Sequence, residues 1–206
     1  MRKSTIAALL IAFMALGGCA QVRYPDYYVL NLPDPVSASR VSGPISASVA
    51  VREFRAPQYL RQGLIVYRPD AEQIAFYNYH RWAEDPRQSV TATIVRELKQ
   101  VFESVELYDG RTGAEFLLTG SLDHLEEVDS ERAVSVEVGI SAKLQSVKTG
   151  SVTWSDTSFK TSEVNQRSLP AVVAEMSRDL SEAATHLVTS MRGQVSQSSF
   201  RANKDQ

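Results

Sequence analysis

The sequence predicts an α+β fold in which one mainly antiparallel sheet is covered on one face by two amphipathic helices. One observation is the strict alternation of polar and apolar residues from 134 to 145, which is typical of a strand with one buried side. The others are two apolar stripes at helical spacing and a chain order without a βαβ repeat. The predicted order is β-β-β-β-α-β-β-β-α.

The amino terminus carries the pattern of a secretory signal. Two basic residues precede an apolar run of eleven residues, 6–16, which is too short to span a membrane. The run leads into a Leu-Gly-Gly-Cys motif at 16–19, which resembles the lipobox of bacterial lipoproteins and contains the only cysteine of the chain. This resemblance implies a signal peptide at 1–18 and a lipidated tether at 19–26. An ordinary secretory peptide with an incidental cysteine is the alternative.

The acylated cysteine predicts where the mature protein resides. Two or more acyl chains anchor a protein stably, so a triacylated Cys19 would hold the chain at a membrane surface. The next residue is Ala20, whereas an aspartate there would resemble the retention signal of the inner membrane. We therefore expect the periplasmic face of the outer membrane.

Length and charge bound the remaining possibilities. Removal of the signal leaves 206 − 18 = 188 residues, which is enough for one domain with its own core. The formal net charge of −2 becomes −4, because the two basic residues leave with the signal. A mildly acidic chain favours no nucleic-acid partner.

Four strands are predicted in the first half of the chain. Their residues are aromatic, β-branched or alternating, and they lie at 27–32, 46–54, 64–68 and 73–79. Prolines and serines predict a loop over 34–44. The third and fourth strands are expected to form a hairpin, because Pro69 and Asp70 between them favour a turn.

The first helix has a clear start. Asp85 can accept from the free amides of the first turn, and Pro86 suits the first helical position. Apolar residues then recur on one helical face: Val90, Ile94, Leu98, Val101 and Phe102. This stripe predicts a helix with one buried side.

The second half predicts more sheet and a long helix. A short extended piece is expected at 105–108, a buried strand at 115–122, and a hairpin of strands 134–145 and 151–159. Ser168 is the predicted cap of the last helix, whose apolar stripe runs to Met191. Residues 193–206 are polar and are predicted to form a disordered tail.

No catalytic or cofactor motif stands out. The three histidines share no metal-ligand spacing with other ligands, and the chain contains no nucleophile elbow, P-loop or dinucleotide-binding motif. His124 lies among Asp123, Glu126 and Glu127, which we interpret as a solvated strand end rather than a metal site. We therefore expect no metal, no cofactor and no catalytic residue.

An aromatic cluster precedes the first helix. Phe76, Tyr77, Tyr79 and Trp82 lie within seven residues of one another. They are explained equally well by the core side of a strand and by a surface that binds a partner. The sequence leaves both interpretations open.

Three segments around this cluster resemble a known family. They are 54–60 (FRAPQYL), 64–68 (LIVYR) and 77–86 (YNYHRWAEDP), and the opening YYVL at 27–30 fits the same pattern. Together they are similar to the ABC-type transport auxiliary lipoproteins, which include the paraquat-inducible protein C lipoproteins. The resemblance extends over 27–192, which we take as the domain.

The resemblance implies a non-enzymatic lipoprotein of an intermembrane lipid transport system. Its implied partners are a periplasmic substrate-binding protein of the mammalian-cell-entry type and, through it, an ABC permease and ATPase. Similar domains associate into rings, so a homo-oligomeric ring is a further expectation. We expect a partner-binding surface at Tyr77, Tyr79, His80, Arg81 and Trp82, because aromatic and arginine side chains dominate interface energies.

Two other functions compete with this interpretation. A lipid carrier would need a continuous apolar cavity between sheet and helices. A cell-envelope hydrolase would need convergent Ser, His and Asp side chains or a metal, which the sequence does not indicate.

Overall fold

The computed structural model describes residues 23–33, 43–130 and 133–202. Cys19, the predicted signal peptide and most of the predicted loop at 34–44 lie outside these residues. The strands, in chain order, are β1 (Asp26–Tyr28), β2 (Ile45–Val51), β3 (Leu64–Arg68), β4 (Ala75–Trp82), β5 (Phe102–Leu107), β6 (Phe116–Asp129), β7 (Val134–Ser146) and β8 (Val152–Glu163). The helices are α1 (Pro86–Leu98), which follows β4, and α2 (Leu169–Ala202), which follows β8; a short 3-10 helix lies at Gln58–Arg61.

The eight strands form one mixed sheet, which confirms the α+β class. The long ladders β6–β7 and β7–β8 are antiparallel, as is the predicted hairpin β3–β4. However, β2 pairs in parallel with both β5 and β6, and β1 with β4 and β3 with β6 are parallel as well. The parallel pairings connect strands that are distant in the chain, and the period of two within a strand carries no information about them.

The helix-facing side of β7 holds the predicted apolar row. Its members are all buried: Val134, Val136, Val138, Ile140, Ala142 and Leu144. In β6, Leu122 lies opposite Ile140, but His124 lies opposite Gly139, so Asp123 is an extra residue in a β-bulge. The bulge keeps Leu125 on the buried side although it is three residues after Leu122.

A close approach fixes one glycine in β6. A side chain at Gly120 would place its Cβ 2.3 Å from the ring of Phe54, which is fully buried. The segment after β2 therefore runs parallel to β6 in direct contact with its backbone, and the amide of Arg55 donates to the carbonyl of Gly120.

Helix α1 starts as predicted. The Asp85 side chain accepts from the amide of Arg87 at 2.9 Å, and Pro86 is the first helical residue. Burial acts to raise the pKa of Asp85, but its hydrogen bonds with Arg87 outweigh this and hold the pKa below its usual value. Val90, Ile94 and Leu98 are buried on the side that faces the sheet and α2.

Helix α2 is longer than predicted. The sequence pattern suggested a disordered tail from 193, but the helix continues to Ala202. Val195 lies one turn after Met191 and is also buried, so the apolar stripe extends beyond Gly193 and holds the helix on the core. The two helices pack together on one face, where the hydroxyl of Thr185 donates to Glu97 at 3.2 Å.

Strand β1 is shorter than predicted, because the chain leaves the sheet after Tyr28. Leu30 is buried in the core instead of continuing a strand. The amide of Asn31 donates to the Ser177 hydroxyl at 3.1 Å, and the carbonyl of Leu32 accepts from Arg96 at 3.0 Å. These bonds tie the segment to both helices, so backbone groups that would otherwise need a strand partner are satisfied.

Candidate functional surfaces

Strand β4 places the five predicted partner-binding residues on two different sides. Trp82 is 7% exposed and belongs to the core, whereas Tyr79 is 43% exposed. Side chains of a strand alternate between the two faces of a sheet, so a compact sequence cluster is divided by the fold. The expectation that Trp82 forms part of a docking surface is thereby corrected.

Two more members of the cluster have internal partners. The hydroxyl of Tyr77 donates to Glu127 Oε2 at 2.9 Å, and the Tyr77 ring lies 4.8 Å from the ring of Tyr67. The ring of His80 lies edge-on to Tyr77, and its Nδ1 is 3.3 Å from the hydroxyl of Tyr28. These contacts hold Tyr77 and His80 within the domain.

The outward side of β1 and β4 carries the exposed members. Tyr27 lies beside Arg81 in the parallel pairing, and Tyr79 is two residues before Arg81 on the same side. The guanidinium of Arg23 lies over the Tyr79 ring, 4.4 Å from its centroid. We call Arg23, Tyr24, Tyr27, Tyr79 and Arg81 the edge patch.

A second cluster contains charged residues that the sequence pattern predicted to lie in solvent. Glu126 is fully buried, and its Oε1 accepts from Arg68 Nε at 2.7 Å and lies 3.1 Å from His124 Nδ1. Glu137 joins them, with one ligand atom from each of His124, Glu126 and Glu137 within 4.8 Å of the others. The interpretation of a solvated strand end is wrong, because β6 continues to Asp129 and pairs there with both β3 and β7.

The chemistry of this cluster is that of a neutralised buried carboxylate. The hydrogen bond to Glu126 raises the pKa of Arg68 despite its partial burial, so the guanidinium stays charged beside the carboxylate. The ring of Phe159 lies edge-on to His124 at 5.3 Å. A cation bound by His124, Glu126 and Glu137 would lie next to the Arg68 charge, and the arrangement therefore favours a structural ion pair.

Glu127 is the other buried carboxylate of β6. Burial raises its pKa, whereas the hydrogen bond from Tyr77 acts in the opposite direction. The same burial raises the pKa of Tyr77, so the hydroxyl remains a donor across the physiological range. The sequence offered Glu126 and Glu127 only as adjacent acids; as neighbours in a strand they point to opposite faces, and the bulge before them decides which face each one takes.

The opposite end of the long strands has a second exposed apolar region. Leu107 is 63% exposed and Val147 is 45% exposed, where β5 ends and β7 turns toward β8. Tyr108, Arg111 and Val147 line a surface groove of about 500 Å³ there, and Arg52 lies 4.7 Å from the Tyr108 ring centroid. We call Leu107, Tyr108, Arg111, Val147 and Val152 the distal surface.

The structure brings one Ser, His and Asp set together, which bears on the hydrolase hypothesis. Ser190 hydrogen-bonds to Asp156 and lowers its pKa, and His186 is close enough to contribute to the same shift. The indole of Trp154 donates to the Ser190 hydroxyl at 3.1 Å. The serine proton therefore points to the carboxylate, whereas in an acyl-transfer triad it points to the histidine.

The space between the helices and the sheet bears on the lipid-carrier hypothesis. In the described part of the chain it is filled by one cluster of buried side chains, which includes Leu118, Leu144, Met176 and Leu187. Grooves elsewhere on the described residues are lined by other side chains, including Thr119, Thr185 and Tyr108, and are open at the surface. The continuous apolar cavity that a carrier would need is not formed by them.

The fold and its surfaces define a class: an α+β domain with a filled core and exposed apolar side chains at one sheet edge and at the distal end. Neither helix of the described residues combines the length and apolar character needed to cross a membrane. The model of the ABC-type transport auxiliary lipoprotein component family matches residues 28–188. The chain belongs to this family, which confirms the resemblance found in its sequence.

Solved structures give the same fold. A protein from Xanthomonas campestris aligns with a TM-score of 0.72 and 19% sequence identity, over 84% of this chain and 99% of that one. A hypothetical protein from Chlamydia trachomatis aligns with a TM-score of 0.50 and 10% identity, over 73% and 98% of the two chains. No curated protein matches the chain.

Proposed function

We propose that the protein is the outer-membrane-anchored auxiliary component of an intermembrane lipid transport system, in which it docks a periplasmic subunit of the mammalian-cell-entry type. The observation that carries this proposal is the family match over 28–188, which begins nine residues after the lipobox cysteine. Cys19 supplies the anchor, and the ABC permease and ATPase act through the docked subunit. The protein performs no chemistry on the transported lipid.

The distal surface is the docking site in this proposal. Phe116, at the start of β6, lies near Val147, whereas the β3–β4 end of the sheet pairs with β6 around Glu126. Phe116 and Glu126 are ten residues apart along β6, which corresponds to roughly 30 Å. A domain anchored near β1 therefore presents Leu107 and Val147 away from the membrane, toward a subunit that approaches from the periplasm.

The composition of the distal surface suits protein recognition. Leu107 and Val147 add exposed apolar area, Tyr108 and Arg111 belong to the residue types that dominate interfaces, and the groove beside them can accept a side chain. The predicted role of Tyr79 and Arg81 in partner binding stays a prediction. Both residues lie on the side of the domain that is close to the proposed anchor.

Co-purification tests the proposal directly. The lipidated protein is expressed with its mammalian-cell-entry-type partner, and Leu107→Asp with Val147→Asp is compared with Phe159→Asp, a control residue that is 54% exposed on the open face of β8. We expect the double variant to lose the partner and the control to retain it. Failure of the unmodified protein to bind would refute the function, and binding by the double variant would refute the docking site alone.

We also propose that several copies form a ring. Among the described strands, β8 pairs only with β7, so its second backbone edge is available to another copy. Light scattering of the detergent-solubilised lipoprotein measures the assembly mass, and a mass equal to one protomer would reject the ring.

A further inference from the structure

The edge patch combines features that suit the surface of a membrane. Tyr24 is 79% exposed and follows Arg23 in the chain, whereas Tyr27 is 64% exposed and pairs with Arg81; the Arg23 guanidinium lies over the ring of Tyr79. The acidic residue of β1, Asp26, lies on the other side of the strand, 3.5 Å from His80 Nδ1. The outward side of the edge is therefore aromatic and positively charged.

The distance to the anchor limits how far this patch can lie from the bilayer. Arg23 is four residues after Cys19, and an extended chain spans at most about 3.6 Å per residue, so the reach is about 14 Å. Strand β1 begins only three residues later. A lipid on Cys19, on which this inference rests, therefore keeps Arg23 within about 14 Å and the start of β1 within about 25 Å of the acylated residue.

Tyrosine and arginine side chains are suited to this environment. A tyrosine ring buries its apolar body between headgroups while its hydroxyl stays hydrated, and arginine extends a long apolar stem to a charged end. Basic side chains gain attraction from anionic lipids within about 10 Å of the surface. The patch contains both residue types, on β1, on β4 and in the segment just before β1.

We propose that the edge patch rests on the membrane, with Tyr24, Tyr27 and Tyr79 at headgroup depth and Arg23 and Arg81 against lipid phosphates. The domain then has a defined orientation on the bilayer, because the lipid anchor and the patch fix two separate points. Strand β1 lies at the surface, and the distal end of β6 and β7 points away from it.

Depth measurements on the full lipidated protein test the orientation. Because Cys19 is consumed by acylation, Tyr27→Cys, Tyr79→Cys and the control Phe159→Cys each supply one thiol for an environment-sensitive fluorophore. The protein is reconstituted in vesicles of phosphatidylethanolamine and phosphatidylglycerol. We expect blue-shifted emission and several-fold stronger quenching by a headgroup-depth lipid quencher at positions 27 and 79 than at 159.

A charge variant adds a second readout. Arg23→Glu with Arg81→Glu should shift the emission of the label at 27 toward that of the control label, whereas Arg111→Glu on the distal surface should leave it unchanged. Water-exposed emission at both patch positions would overturn the proposal. Protection that arises only when the periplasmic partner is added would also overturn it and assign the patch to that partner.

The anchor and the patch fail in different ways. Mass measurement before labelling reports whether Cys19 carries acyl chains. A protein without acyl chains would refute both the proposed anchoring and this orientation. Acylated protein with water-exposed labels would refute the orientation alone.

Discussion

The inward and outward sides of β4 differ in kind, and the register of β4 against β3 shifts between Phe76 and Arg81, so Tyr77 and Tyr79 do not share one side as regular alternation would require. The inward side places Trp82 in the core and bonds Tyr77 to Glu127, whereas the outward side exposes Tyr79 and Arg81 beside β1. The difference teaches that one aromatic segment of a strand serves stability on one side and, in the proposed orientation, membrane contact on the other. Substitutions on the two sides should therefore separate the two properties.

The largest effect is expected from Trp82→Ala. The change removes a buried indole and leaves a cavity, so the free energy of unfolding should fall by about 3–5 kcal/mol. Urea denaturation followed by fluorescence measures this loss. An unchanged midpoint would mean that Trp82 is not part of the core and that the two sides of β4 do not differ as described.

A smaller loss is expected from Tyr77→Phe. The ring is retained, but the buried carboxylate of Glu127 loses its 2.9 Å donor, which should cost about 1–3 kcal/mol. The same denaturation experiment applies, with Tyr67→Phe as the control because no partner is described for its hydroxyl in the described residues. Equal effects of the two changes would argue against the Tyr77–Glu127 bond.

The pH dependence of stability tests the burial of Glu127, the acceptor of this bond. The folded pKa of Glu127 is raised, so the folded state binds its proton more tightly and the resulting stabilisation is present at low pH. It is lost as the pH rises from the ordinary value of 4.5 through the folded pKa. Glu127→Gln should flatten the decline in unfolding free energy over this window; Glu97, whose pKa burial also raises, should leave a residual slope.

The smallest effect on stability is expected on the outward side. Tyr79→Ala and Arg81→Ala remove side chains outside the core, so the free energy of unfolding should change by no more than about 0.5 kcal/mol. Thermal unfolding of the two variants beside Trp82→Ala checks this. A loss comparable to that of Trp82→Ala would show that the edge patch is structural.

The local elements were accessible from the sequence, but their pairing was not. The bounds of β3 follow from its run of apolar residues, and the start of α1 follows from Asp85 and Pro86. Both are local signals in the sequence. The parallel position of β2 between β5 and β6 depends on contacts such as Phe54 against Gly120, which join residues more than 60 positions apart. No local pattern encodes such a contact.

The candidate surfaces were only partly accessible from the sequence. The aromatic cluster was visible, but the side to which each ring points depends on the pairing of β4 with β1 and β3. The buried pair of Arg68 and Glu126 was missed, since an acid next to His124 and Glu127 has the composition of a strand end. The distal surface carries no motif, because its members come from three separate turns and strands.

The bulge at Asp123 gives the longest described strand, β6, one residue that has no partner in β7. Its neighbours already face consecutive positions of β7, Ile140 and Gly139, so excision of this single position would let the ladder close without moving any side chain to the other face. A homologous chain shorter by one here would thus preserve the same interior and the same exterior. Such length variation, if it occurs among relatives, should concentrate at this point of β6.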